Sequence, residues 1–254
     1  MIKYSNDYLV LAEKPYTSIQ GEGRFVGIPM TYVRLQGCNV SCSWCDSQYT
    51  WYPHAQEKIP MMLENNPMET SFEELDKILI QEGCKHVWFT GGEPMLQARA
   101  IVNYLEAYRN HTKEYHICTA GTIFNRRIFQ LMDHVTIDVK APFSKTKSDM
   151  EVIKKVDEIC VGELELKMVI APTVSDMQFA IDMVHKYPDK SWTFQPLYVS
   201  ETELKLDPTL KADSSYWTMK SFAEWINMTF RHYKKVRMGT QLHKIIWPDK
   251  TRLI

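Results

Sequence analysis

The sequence predicts an α/β fold: an incomplete (β/α) barrel of about six parallel core strands. Three observations predict it. Short strand-like runs alternate with helix-like runs along most of the chain, the pattern of parallel βαβ units. Nearly every strand-like run passes at its carboxyl end into glycine or polar sequence. A parallel sheet gathers such ends on one rim, where α/β barrels keep their active sites. Finally, the 254 residues suit one such domain, and six strands are too few to close a barrel of eight. Residues 1–254 are therefore expected to form a single domain. An insertion is expected at about 48–70, and a carboxyl-terminal segment at about 233–254 is expected to close the pocket.

Residues 1–29 read as irregular and contain Ser18-Ile19-Gln20-Gly21-Glu22-Gly23, where two glycines flanking a carboxylate suit either a turn or a close approach to a ligand. Met30 to Gln36 alternates Tyr32, Arg34 and Gln36 against Val33 and Leu35, a strand. Arg34 on that face points either into a polar cavity or to solvent. Residues 48–70 hold prolines, aromatics and Met61-Met62 with no period. Ser71-Phe72-Glu73-Glu74 reads as a capping box opening a helix to about Glu82, stopped by Gly83. His86 to Thr90 is a strand running into Gly91-Gly92-Glu93-Pro94, with a helix to about Asn110. Tyr115 to Thr119 is the next strand, then a helix near Phe124–Met132, then a strand from His134 to Val139. A charged helix at about Ser148–Asp157 precedes a strand at Glu163–Ile170, whose charges Glu163, Glu165 and Lys167 share one face. Ser175-Asp176-Met177-Gln178 reads as a second capping box, with a helix to about Lys186. Trp192–Gln195 is a strand, Ser214–Arg231 an amphipathic helix, and Tyr233–Met238 a last strand before Gly239-Thr240-Gln241-Leu242-His243.

Apolar residues make up 44% and charged residues 24% of the chain, enough apolar material for a sizeable core. A formal net charge of -1 provides no global basic field for nucleic acid. The first residues do not resemble a signal peptide, and no apolar run reaches the length of a membrane span. A cytoplasmic protein is expected, in whose reducing surroundings clustered cysteines read as ligands and not as disulfides.

Three cysteines crowd one loop: Cys38, Cys42 and Cys45, spaced Cys-x3-Cys-x2-Cys, with Trp44 before the last. Thiolates packed so closely need a metal centre to share their charge. A structural zinc site needs a fourth ligand at matching spacing, and only the isolated His54 stands near. An iron–sulfur cubane fits better, because three thiolates can hold it and leave one iron open.

The loop resembles that of the radical S-adenosylmethionine (SAM) enzymes, and Gly91-Gly92-Glu93-Pro94 adds a second, independent point of likeness. The whole set resembles one family among them, the 7-carboxy-7-deazaguanine synthases. The likeness lies in Ile19 through Gly23, Val33-Arg34-Leu35 before Gly37-Cys38-Asn39, Cys42 through Ser47, Thr90 through Gln97, Glu165-Leu166-Lys167, Gln195-Pro196, and Gln241-Leu242-His243 with Trp247. The resemblance implies a modified, incomplete barrel. It implies conversion of 6-carboxy-5,6,7,8-tetrahydropterin to 7-carboxy-7-deazaguanine with loss of ammonia, using a 4Fe-4S cluster, S-adenosyl-L-methionine and Mg²⁺. It also implies a flavodoxin- or ferredoxin-type reductant and a homodimer.

By the same resemblance, Cys38, Cys42 and Cys45 hold the cluster and Ser47 the magnesium. Trp44, Cys45, Asp46 and Gly92 contact SAM, with the segments Asp138, Val139, Lys140 and Gln195, Pro196, Leu197, Tyr198. Substrate falls to Ile19, Gln20, Gly21, Arg34 and Thr90, the guanidinium being suited to a carboxylate. Glu22 and His243 are polar contacts in the pocket, or else packed or solvated side chains. Two departures stand out: Cys118-Thr119-Ala120-Gly121 where the family often has Glu-Thr-Asn-Gly, and Asp138-Val139-Lys140 where it often has Ser-Pro-Lys. The second is also reminiscent of glycyl-radical activating enzymes, the main enzymatic rival. A metal-binding module without chemistry is the rival from another class.

Overall fold

The computed structural model describes residues 4–51, 67–197 and 217–247. Tyr198, His54 and the charged tail beyond Trp247 lie outside them, as do most of the expected insertion and the first residues of the helix expected from Ser214.

Among the described residues ten strands, numbered β1 to β10 in chain order with the ranges given below, form one sheet in the order β10-β9-β8-β7-β6-β5-β3-β1-β4, with β2 also paired to β3. The parallel strands are β3 (Pro29–Leu35), β5 (His86–Gly91), β6 (Glu114–Thr119), β7 (His134–Asp138), β8 (Glu163–Ile170), β9 (Ser191–Pro196) and the short β10 (Val236–Met238). These are the six expected core strands and the expected last strand, and among the described residues the sheet stays open, ending at β10 and β4. The amino-terminal region is a correction. Residues 1–29 are not wholly irregular, because β1 (Tyr8–Leu11) and β2 (Tyr16–Ile19) pair antiparallel with β3, and β1 also pairs with β4 (Met68–Ser71). Each of these strands has only four residues. Such runs are too short to show a period, and their ordering comes from the pairing itself.

Helices α1 (Phe72–Glu82), α2 (Ala98–Tyr108), α3 (Arg126–Leu131), α4 (Met150–Ile159), α5 (Val174–Lys186) and α6 (Met219–Phe230) connect the strands, and α7 (Leu242–Ile246) follows β10. Ser71 caps α1 by accepting from Glu74 N at 3.2 Å, and Gly83 ends it in the left-handed region at φ 66°. The second capping box is displaced. Thr173, not Ser175, is the cap of α5, accepting from Asp176 N at 3.2 Å. Ser175 already lies inside the helix, and the Asp176 carboxylate instead accepts from Phe143 N and Ala171 N, both at 2.9 Å.

Alternation along the parallel strands divides the sheet into two faces. One face carries Phe89, Ile117, Ile137, Leu166 and Phe194, each essentially inaccessible, packed in a single core with Leu79, Ile101, Phe129, Val156, Val184 and Phe222 of the helices. Residues of the opposite parity, such as Arg34, Thr90, Cys118, Asp138 and Lys167, line a cavity. This explains the charged face of β8. Glu165 and Lys167 are 1% and 4% exposed, since their face is the inside of the half-barrel.

Candidate active site

The cysteine loop leaves β3 and is fastened across the strand ends. Gly37 N donates to Thr50 O at 2.7 Å and Glu93 N to Gly37 O at 2.8 Å. Ser43 N donates to Ser144 O at 3.0 Å, and Asn39 Nδ2 to Thr122 Oγ1 at 3.0 Å. The approach to β5 is so close that a Cβ on Gly92 would lie 1.9 Å from Gly37 O, so only glycine fits. Glu93 is fully buried and joins two rim segments: one oxygen accepts from Met95 N and Thr119 Oγ1, the other from Ala120 N at 2.8 Å. Its structural role accounts for its burial.

The rim encloses a cavity of about 270 Å³. Cys38, Cys42 and Cys45 all line it, and all three are free thiols. Burial pushes the Cys38 thiol up to about 12, and pushes Cys45 upward as well. The donor set, three soft sulfurs on one wall of a cavity, fits an iron–sulfur cubane that withdraws their charge.

A chain of charges crosses the floor. Lys167 Nζ contacts Glu22 Oε2 and lies 3.2 Å from Asp138 Oδ2, which also meets Lys140 Nζ at 3.1 Å. Gln241 Nε2 donates to Glu22 Oε1 at 2.8 Å. Burial raises the Glu22 carboxyl, but Lys167 and His243 outweigh it and bring it down to about 2. Burial likewise opposes the charge on Lys167, yet Asp138 and Glu22 hold it well above the ordinary lysine range. Lys140 Nζ stands 4.9 Å from the centre of the Trp44 ring, a cation–π contact. On another wall, Arg34 Nε donates to Glu13 Oε1 at 2.6 Å and Nη2 to Tyr16 Oη at 3.2 Å, while Tyr49 Oη donates to the same Glu13 oxygen at 3.2 Å. The Arg34 side chain is 12% exposed, so of its two readings the cavity is the one realised.

The carboxyl-terminal segment reaches the first glycine loop. Leu242 N donates to Gly21 O at 2.9 Å, and a Cβ on Gly21 would lie 2.1 Å from His243 Nδ1. His243 Nε2 stands 3.8 Å from Asp46 Oδ2. Burial raises Asp46, but its contacts with His243 and Lys244 hold it far below the ordinary carboxylate range.

Of the expected site residues, Gln20, Glu22, Arg34, Trp44, Asp46, Ser47, Thr90, Gly92, Asp138, Lys140 and His243 line the cavity with the three cysteines. Ile19, Gly21, Val139, Gln195, Pro196 and Leu197 do not. Several of these stand directly behind the wall. Val139 N donates to Lys167 O at 2.7 Å, Gln195 Nε2 to Thr240 O at 3.3 Å, and Leu197 belongs to the small apolar cluster that supports Trp44. Glu13, Tyr49, Lys167 and Gln241 were missed as individual residues. The buried alternation of β8 and the Gln-Leu-His motif signalled Lys167 and Gln241, whereas nothing in the sequence marked Glu13.

The description "4Fe-4S single cluster domain" matches residues 19–158. A 7-carboxy-7-deazaguanine synthase of Thermoplasma acidophilum is 32% identical over 249 residues, covering 94% of this chain and 98% of that protein. One of Bacillus subtilis is 34% identical over 249 residues, covering 92% and 93%. The crystal structure of QueE from Escherichia coli superposes over 93% of this chain and 95% of that one, with a TM-score of 0.58 at 20% identity, and so shares the fold.

Proposed function

Because this chain belongs to the 7-carboxy-7-deazaguanine synthase family of radical SAM enzymes, we propose that it converts 6-carboxy-5,6,7,8-tetrahydropterin to 7-carboxy-7-deazaguanine with loss of ammonia. The observation that carries this reading is the single cavity shared by Cys38, Cys42, Cys45, Arg34, Glu22 and Thr90. When bound, the 4Fe-4S cluster and SAM supply a carbon-centred adenosyl radical able to take a hydrogen atom from the substrate.

The remaining work falls to the chain's own groups. Cys38, Cys42 and Cys45 hold the cluster, and Trp44, backed by Leu197 and Lys140, walls the SAM side. Arg34, a permanent cation, attracts the substrate carboxylate. Glu22 remains ionised at neutral pH and accepts from the amino and ring N–H groups of a pterin. Ser47 is the magnesium position, where a hard cation finds oxygen, and its hydroxyl donates to Asp46 at 2.9 Å. The family resemblance alone supports a flavodoxin- or ferredoxin-type reductant and a homodimer. A reducing cytoplasm suits six cysteines that are all free. Among the described residues, no helix is long and apolar enough to cross a membrane.

The test is an anaerobic assay of the cluster-reconstituted chain with SAM, Mg²⁺, dithionite and the carboxytetrahydropterin, followed by mass spectrometry, with Cys45→Ala as control. The deazaguanine product from the parent and none from the variant is expected. SAM cleavage without that product would remove the substrate assignment while leaving the radical chemistry in place.

A further inference from the structure

The inner face of the half-barrel has a second end. His86, Glu114, His116 and His134 lie at or near the amino-terminal starts of β5, β6 and β7, four residues before Thr90 on β5. At about 3.3 Å per residue the His86 backbone lies some 13 Å from Thr90 at the rim, and Trp88 of the cavity wall stacks on His116 between them. The strand register brings them together: His86 pairs with Glu114 across β5 and β6, and His116 with His134 across β6 and β7. Side chains of one parity share a face, so imidazoles and carboxylate converge below the pocket. None of them takes part in the chemistry above.

We propose that His86 Nδ1, His116 Nε2 and Glu114 Oε2 form a binding site for a divalent transition-metal ion of the zinc type. His86 Nδ1 lies 3.0 Å from His116 Nε2 and 3.4 Å from Glu114 Oε2, and the three atoms all fall within 4.8 Å of one another. Ligands about 2.0–2.1 Å from a tetrahedral zinc are about 3.3 Å apart, so two of these edges are already near the required length. Two imidazoles and one carboxylate are a borderline donor set, suited to zinc, cobalt or nickel and poorly suited to magnesium or calcium.

The surroundings hold the donors in place. His134 Nε2 stands 3.3 Å from Glu114 Oε2, and Lys85 Nζ engages the other carboxylate oxygen at 2.6 Å, which leaves Oε2 directed at the histidines. Such outer contacts orient metal ligands in general. His116 is completely buried; its Nε2 faces His86 Nδ1, while its Nδ1 has no hydrogen-bond partner among the described residues. The Glu114 side chain is 32% exposed, which gives an ion a route in and leaves the fourth position to water. The bound ion would tie β5 to β6 at their amino-terminal ends, behind the Trp88 wall of the pocket.

The test is zinc retention by the full chain with its iron–sulfur cluster reconstituted, so that the cysteine loop is occupied. Zinc sulfate is added anaerobically, the protein is desalted, and zinc and iron are counted by elemental analysis. About one zinc per chain beyond the cluster is expected. His86→Gln and Glu114→Gln, both at partly exposed positions, are each expected to weaken zinc binding at least roughly tenfold while iron content stays unchanged. Cobalt in place of zinc should give ligand-field absorption that the same variants lose. A parent chain retaining no zinc overturns the assignment without recourse to any variant. Retention unaffected by both substitutions overturns it equally, and leaves the cluster as histidines sharing a proton.

Discussion

Arg34 answers to two carboxylates, that of Glu13 and the one expected on the substrate. Glu13 already accepts from it at 2.6 Å, in a place where both side chains are 12% exposed. Removing the guanidinium therefore strands a buried anion, which costs about 3–5 kcal/mol in comparable pairs. Two effects of Arg34→Ala must be separated: loss of stability through Glu13 and loss of the substrate carboxylate. The single variant is expected to lower the melting temperature and raise KM for the pterin at least about tenfold, with uncoupled SAM cleavage retained. Adding Glu13→Gln should restore the melting temperature and leave KM high. A double variant with parental KM would remove Arg34 from substrate binding. Glu22 makes the stability of the fold depend on pH. Its folded pKa of about 2 lies below the ordinary carboxylate value of 4.5. The unfolded chain therefore binds more protons between those values, so stability rises with pH there. The contribution is complete above 4.5 and is lost as pH falls towards 2. Comparing urea midpoints at about pH 5 and about pH 3, the parent should lose more than Glu22→Gln does.

At the scale of elements, the start of α5 gives a test between two neighbouring hydroxyls. Thr173→Ala removes the cap and should cost about 1 kcal/mol, whereas Ser175→Ala should cost only a few tenths; urea denaturation of the two variants separates them. The sequence pattern Ser-x-x-Gln pointed to Ser175, but Asp176 is drawn away by two backbone N–H groups from before the helix, which starts the helix earlier. This shows what local sequence can reveal. The parallel strands were legible because each is a short apolar run closed by a polar or glycine-rich end, and the helices because their caps and stops are local. The strands β1, β2 and β4 were not, since four residues carry no measurable period and their order depends on β3. The same division holds in the site. Cys38, Cys42 and Cys45 stand within one loop and could be read together. Glu13 meets Arg34 only through the pairing of distant segments, and the histidine cluster exists only through strand register.

Across the whole molecule, the sheet keeps its helices and main core on one face and the cavity on the other, with Asp138 of β7 and Lys167 of β8 turned inwards and linked in a chain of ion pairs to Lys140 and Glu22. Its pocket draws on segments far apart in sequence: Glu22, with Gly21 behind it, on one side, and Gln241 and His243 on the other, joined by hydrogen bonds across more than two hundred positions. That juncture has a consequence for biosynthesis. On the ribosome the amino-terminal portion emerges first, so the cysteine loop is exposed long before the segment that lies against it has been made. The three thiols are thus in place before Gln241 and His243, which line the same cavity, have been synthesised. A chain ending at Thr240 is accordingly expected to take up iron and sulfide like the parent yet turn over no pterin, which elemental analysis beside the product assay would check. Order of synthesis thus puts the cysteine loop in the chain well ahead of the residues that lie against it.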